Sequence, residues 1–334
     1  MAEQRADAES DSRDMIKPQR LPPVNLCGTV VRFTDNLHRL LVALPLVLVF
    51  TCPSRLGKAY AQEVLPVGYL DHWGAGPIAD VCHDASTLPA LRNTMRLVCS
   101  RAPVEAANQN IRKAIILGFV GGFVKGNDPK HPEVLFATYL QARYGSTVYV
   151  NTFGNHEGKQ AVEDTLRRLD TDKDGFLTAT EKQQVKIILY GHSWGASQVL
   201  TLARELQRRG IPVALTIQID TVKKCGQNDR TVPANVGKAV NFYQRKGLTP
   251  GQPLIVPADA ARTTILGNFN KEYRNHEVDC DNYGWLSRAF NKPHHQIEND
   301  PHIWDQIASL IDSEVLRTGS EINTASSSMS AAFR

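Results

Sequence analysis

Long apolar runs are scarce in this chain of 334 residues. The one that stands out, residues 40–50, has eleven residues, too short for a helix that spans a bilayer comfortably. Excess charge is missing too. The formal net charge is +4, and residues 1–61 carry eight Lys/Arg against six Asp/Glu, so the rest of the chain stands near +2. That gives nucleic acid no electrostatic footing as a partner. No cysteine pair has zinc-site spacing, and no internal repeat is visible. The glycine-rich stretch 120–127 is not followed by the Gly-Lys-Ser/Thr of a phosphate-binding P-loop.

What is present is core-forming material. Hydrophobic residues make up 42% of the chain and the charge is modest, which suits one large globular domain or two small ones. Residues 1–20 are polar and charged, the composition of a disordered segment. The apolar run 40–50, preceded by His38 and Arg39, suits the core of a signal peptide, and Ala59-Tyr60-Ala61 supplies a small-x-small cleavage site. Export is therefore expected, with residues 1–61 as leader and a mature start near Gln62. The long N-terminal region, Arg55 and Lys58 fit this less well, and an uncleaved membrane anchor is the alternative. Cys52 lacks the small residues before it that a lipoprotein site requires. Cys82, Cys99, Cys225 and Cys280 remain in the mature part, and four cysteines allow three pairings. The expected bridges are Cys82–Cys99, which closes a local loop, and Cys225–Cys280; a cytosolic chain would keep four thiols instead. Residues 89–98 read as an amphipathic helix, and 318–334, rich in Ser and Ala, as a disordered tail.

The informative centre is Tyr190-Gly-His-Ser-Trp-Gly-Ala-Ser197. An apolar run from Val185 to Leu189 precedes it and reads as a buried strand. A helix over 198–209 follows, with Val199, Leu200, Ala203 and Leu206 at helical spacing and Gly210-Ile211-Pro212 as its stop. Gly-x-Ser-x-Gly in a tight strand-to-helix turn holds the Ser193 hydroxyl above the sheet in a strained conformation, while Gly191 and Gly195 let strand and helix approach. At this motif the chain, over residues 111–317, resembles the α/β-hydrolase superfamily. The resemblance implies a three-layer α/β fold over 62–317, mostly parallel sheet with helices on both faces. It also implies a nucleophile, acid and base in that chain order.

On that resemblance Ser193 is the nucleophile. Trp194 supplies one backbone N–H of an oxyanion hole, and Phe119 or Val120, at the end of the strand 113–119, supplies the other. The next elements are a helix over 132–144 and a β-branched strand over 146–151, with Asn155, His156 and Glu157 bordering the mouth of the site. The strand 213–220 ends on Asp220, the expected acid, with Asp259 as rival. The stretch 231–243 reads as a loop and helix outside the site. Phe242, Tyr243, Tyr283, Trp285 and Phe290 are candidate pocket residues. Asp300-Pro301 opens the last helix, whose apolar face carries Ile303, Trp304, Ile307, Leu310 and Ile311. The superfamily places its base in the loop before that helix. His294 is taken as the base, three residues before Ile297; His295 and His276 stay open, and His302 falls inside the helix.

Between the glycine-rich loop and the Ser193 strand, residues 159–185 form an insertion. A helical pattern over 159–169 runs into Asp170-Thr-Asp-Lys-Asp-Gly-Phe-Leu-Thr-Ala-Thr-Glu181, which fits the twelve-residue EF-hand loop. Asp170, Asp172 and Asp174 offer carboxylates, Phe176 its carbonyl, Thr178 a water-mediated contact, and Glu181 a bidentate carboxylate to Ca2+. Gly175 permits the sharp turn and Leu177 packs inward. The exiting helix is short and no partner hand is visible, so a static structural ion is expected rather than a sensor. The composite expectation is an exported serine hydrolase acting on a carboxylic ester, lipid or thioester, with Ca2+ and no organic cofactor. A non-catalytic calcium-binding protein on the same scaffold and an acyltransferase are the alternatives. The partner is a small-molecule or lipid acyl substrate, and the mature chain has no membrane span unless the leader stays uncleaved.

Overall fold

A computed structural model describes residues 82, 89–101, 111–274 and 278–316. The expected leader, the expected disordered tail and His276 lie outside the described residues. Its centre is a six-stranded sheet in the order β2-β1-β3-β4-β6-β8, every pair parallel. The strands are β1 (Ala114–Val120), β2 (Val148–Gly154), β3 (Lys186–His192), β4 (Val213–Ile219), β6 (Val236–Tyr243) and β8 (Thr264–Asn270). Two short strands, β5 (Thr231–Val232) and β7 (Val256–Pro257), pair apart from it.

The sheet is covered on both sides, as its sequence requires. Every residue of β1 is buried, the pattern of an interior parallel strand with helices on each face. Ala114 and Ile116 of β1, with Ile188 and Tyr190 of β3, face one core. That core includes α1 (Pro89–Cys99), α2 (Pro132–Tyr144) and α7 (Pro301–Val315). Ile115, Leu117, Ile187 and Leu189 face the other, closed by α3 (Gly158–Leu169) and α5 (Trp194–Arg208). The short α4 (Ala179–Gln183) and α6 (Trp285–Glu298) complete the described helices. This is the three-layer arrangement that the α/β-hydrolase resemblance implies. Among the described residues no helix is long and apolar enough to cross a membrane.

Residues 236–243 are a strand, correcting the helix expected there. Val236, Ala239, Val240 and Tyr243 recur at helical spacing, but β-branched valines and Phe242 between two parallel neighbours favour the extended form. The edge strand β8 carries no such buried run and had no sequence signature. Cys82 and Cys99 are bonded. The second expected bridge is not formed: Cys225 is an exposed free thiol and Cys280 a buried one, its Sγ 3.8 Å from the Val278 carbonyl.

Candidate active site

Ser193, Asp220 and Gln244 each follow the carboxyl end of a neighbouring parallel strand, β3, β4 and β6. Open parallel sheets place their crevice there. Ser193 has φ +57, a left-handed conformation that L residues adopt only under constraint. Its N–H donates to the Ile219 carbonyl of β4 at 2.9 Å. The glycines beside it explain how the turn closes. A Cβ on Gly195 would lie 2.1 Å from the Phe119 carbonyl oxygen, and one on Gly191 2.7 Å from the Gly195 backbone.

Asp220 also has positive φ, +46, and is fully buried. Oδ1 accepts the Gln244 backbone N–H at 3.0 Å, and Oδ2 accepts Gln244 Nε2 at 2.9 Å. His294 Nδ1 lies 2.6 Å from Asp220 Oδ2, and its Nε2 lies 3.0 Å from Ser193 Oγ. An ionised carboxylate can only accept, so Asp220 fixes the proton on Nδ1 and leaves Nε2 to accept from the serine hydroxyl. The structure thus brings Ser193, His294 and Asp220 into one hydrogen-bonded run. The rivals lie elsewhere. Asp259 accepts the Ala261 N–H in its own turn. His295 points to Ser287, Nε2 to Oγ 2.6 Å, and stacks on Tyr283. His302 is exposed on α7.

His294 sits within α6, correcting the loop expected from the sequence. Non-helical backbone at Asn291 kinks α6 two residues before Pro293, and the residues after the kink, from His294 to Asp300, are buried. Phe119 differs as well. It lies inside the β1 ladder, paired with Phe153 on one side and Gly191 on the other. The approach to Ser193 is made by Gly121: a Cβ there would lie 2.8 Å from Ser193 Cβ and 3.5 Å from Oγ. The adjoining Gly122 carbonyl accepts from Asn155 Nδ2, and the Asn155 carbonyl accepts from Lys224 Nζ at 3.2 Å. Phe123 stands 85% exposed and meets the Trp194 ring edge-on at 5.2 Å. Among the candidate pocket aromatics, Phe242 is core, stacked on Phe269, whereas Trp285 and Phe290 are exposed.

Behind His294 lies a second set of titratable groups, His131 half-buried and the others buried, that sequence reasoning missed as a cluster. The His192 ring sits 4.5 Å from that of His294. His192 Nδ1 lies 3.3 Å from Glu298 and 3.6 Å from Glu133. His131 Nδ1 lies 2.9 Å from Glu298 Oε1. Burial lowers the His192 imidazole to about 3. Burial would lower His131 as well, but the hydrogen bond and charge of Glu298 outweigh it and raise His131 to about 9. Burial and the neighbouring Glu298 charge raise Glu133 well above the carboxylate range. Of these residues only His192, inside the Gly-x-Ser-x-Gly motif, stands in a stretch that the sequence singles out.

The acidic loop after α3 is closed by Glu181. Its Oε1 accepts from the Thr171 N–H and hydroxyl at 2.8 and 3.0 Å, and its Oε2 from those of Thr178 at 3.0 and 2.9 Å. The Thr178 and Thr171 N–H groups pull the Glu181 carboxyl down to about 2. Gly175 has φ +84. Donor atoms of Asp170, Asp172 and Glu181 lie within 4.8 Å of one another, and Asp170 Oδ1 is buried with no hydrogen-bond partner among the described residues. An orphaned carboxylate oxygen beside two more carboxylates fits a hard cation. Asp174 is instead engaged by the Phe176 N–H at 2.7 Å, and the Phe176 side chain is exposed.

No family model and no curated protein matches the chain. Solved structures resemble it faintly. A thermostable esterase from Pseudomonas putida is 21% identical over 36% of this chain, at TM-score 0.25. An esterase from the archaeon Pyrobaculum calidifontis is 12% identical over 43%, at 0.26. A dienelactone hydrolase-like promiscuous phosphotriesterase from metagenomic libraries is 12% identical over 63%, at 0.29. The match spans 38% of the first, 53% of the second and 90% of the third. Likeness this faint leaves fold and chemistry to be read from the chain's own geometry.

Proposed function

We propose that the chain is a serine hydrolase that cleaves a carboxylic ester, lipid or thioester through an acyl-enzyme. One observation carries this reading: the hydrogen-bonded run from Ser193 Oγ through His294 to Asp220, anchored behind by Gln244.

Ser193 Oγ bonds to the carbonyl carbon of the substrate while His294 Nε2 takes the hydroxyl proton. Asp220 holds the imidazole in the right tautomer and stabilises the imidazolium. The imidazolium gives that proton to the leaving alcohol or thiol as its bond to carbon breaks. Water then attacks the acyl-serine, His294 takes the water proton, and Ser193 recovers it as the acid departs. The oxyanion is assigned to the Trp194 N–H, at the positive end of α5, and to the backbone of the loop at Gly121; each donor is worth ~3 kcal/mol. Phe119, engaged in the ladder, is not the donor in this scheme. Phe123 and Trp194 give an apolar acyl chain a surface beside the serine.

In the same reading Asp170, Asp172, Asp174 and Glu181, with the Phe176 carbonyl, would hold Ca2+, which neutralises the acidic loop leading into β3. The leader directs export, and cleavage after Ala61 leaves a chain that begins at Gln62. A fluorophosphonate probe tests the nucleophile: wild type is labelled and Ser193→Ala is not. Labelling of both, or of neither alongside no turnover across a p-nitrophenyl ester panel, removes the hydrolase reading. Product analysis with added alcohols identifies an acyltransferase.

A further inference from the structure

We propose that His131, His192, Glu133 and Glu298 form a binding site for a divalent transition ion of the zinc class, enclosed in the protein directly behind His294. Three elements bring the ligands together. His131 and Glu133 flank Pro132 at the start of α2, His192 ends β3, and Glu298 ends α6. Donor atoms of His131, Glu133 and Glu298 lie within 4.8 Å of one another. His192 Nδ1 joins them at 3.3 Å from Glu298 and 3.6 Å from Glu133. Nitrogens and oxygens bound tetrahedrally at about 2.0–2.2 Å from zinc stand roughly 3.3 Å apart, close to these separations.

The independent sign of a missing ligand is Glu133. Its side chain is 0% exposed, and neither carboxylate oxygen has a hydrogen-bond partner among the described residues. An ionised carboxylate in that condition is costly, so Glu133 either keeps a proton or meets a cation. One dication between two carboxylates and two neutral imidazoles balances the charge, and two imidazoles with two carboxylates are a donor set that zinc accepts. The ligands are also held from behind. Tyr190 Oη donates to the Glu133 carbonyl at 2.8 Å, and Trp304 Nε1 to the Glu298 carbonyl at 2.6 Å. An ion here would fasten the Ser193 strand to the helix that carries His294, without touching substrate.

The test uses the full chain with its affinity tag removed. Metal analysis after dialysis against zinc is expected to find about one zinc per chain. Replacement by Co2+ is expected to give the visible bands of a tetrahedral site. Glu298→Gln and His131→Ala are expected to weaken zinc at least tenfold, read by competition with a chromophoric chelator. Should either fail to fold, Glu133→Gln, which keeps the shape, gives the same reading. Zinc that survives in Asp170→Ala/Glu181→Ala and in His294→Ala supports the site. Zinc lost in His294→Ala but kept in Glu298→Gln belongs to His192, Asp220 and His294, whose donor atoms also lie within 4.8 Å, and overturns it. A chain that takes up no zinc or cobalt also overturns it. None of these outcomes depends on esterase activity, so this proposal and the hydrolase reading can fail separately.

Discussion

Gly251 approaches Asp220 so closely that a Cβ on it would lie 2.0 Å from Asp220 Oδ1 and 3.0 Å from its Cα. No side chain fits there without moving the carboxylate that orients His294. Gly251→Ala is expected to lower kcat by ~10- to 100-fold with KM little changed, since small displacements of a catalytic group cost that much. Ester kinetics beside a melting curve check it. An unchanged kcat in a folded variant would remove Asp220 from the scheme.

Gly121 has the same relation to Ser193, with its Cβ position 2.8 Å from Ser193 Cβ and 3.1 Å from the His192 carbonyl. Gly121→Ala is expected to reduce kcat/KM by ~10²- to 10³-fold, as loss of an oxyanion donor does. Because its φ is ordinary, the melting temperature should move much less than activity. Phe123→Ala is the contrast: it leaves short esters unaffected and raises KM for long acyl chains.

Calcium at a hundredfold excess over its dissociation constant stabilises a protein by ~2.7 kcal/mol, which for a domain of this size is a rise of roughly 5–10 °C in Tm. That rise is expected on adding Ca2+ and should reverse with chelator. Asp170→Ala/Glu181→Ala should abolish it. A rise that persists in the double variant rules out the loop as the ion's seat.

With chelator present, Glu181 gives the loop a pH signature. Its carboxyl is lowered in the folded chain, to about 2 from an ordinary 4.5, so the unfolded chain binds the proton more readily. The stabilisation is therefore complete above about 4.5 and disappears as pH falls toward 2. Denaturant unfolding at a series of pH values should show that loss in wild type and not in Glu181→Gln.

The strand-turn-helix at Ser193, the helix at 132–144 and the placement of Asp220 at the end of β4 were legible because each has a local pattern: a glycine-bounded turn, a 3.6-residue period, an apolar run with a terminal Asp. Elements defined only by distant partners were not. β6 imitates a helix in its apolar spacing, and β8 is an edge strand with little to bury. Gln244, Gly251, Glu133 and Glu298 have no motif around them. Gln244 and Gly251 acquire meaning when the ends of β4 and β6 lie side by side around Asp220, and Glu133 and Glu298 when the start of α2 meets the end of α6. The extent of β1 was not legible to the residue: it runs on to Val120 before the backbone breaks away toward Gly121.

The sheet has no hairpin among its six strands, and Ser193 and His294 are 101 residues apart. During synthesis Ser193 leaves the ribosome long before His294 does. On the proposed mechanism, a partly made or C-terminally clipped chain would be chemically silent until α6 has docked.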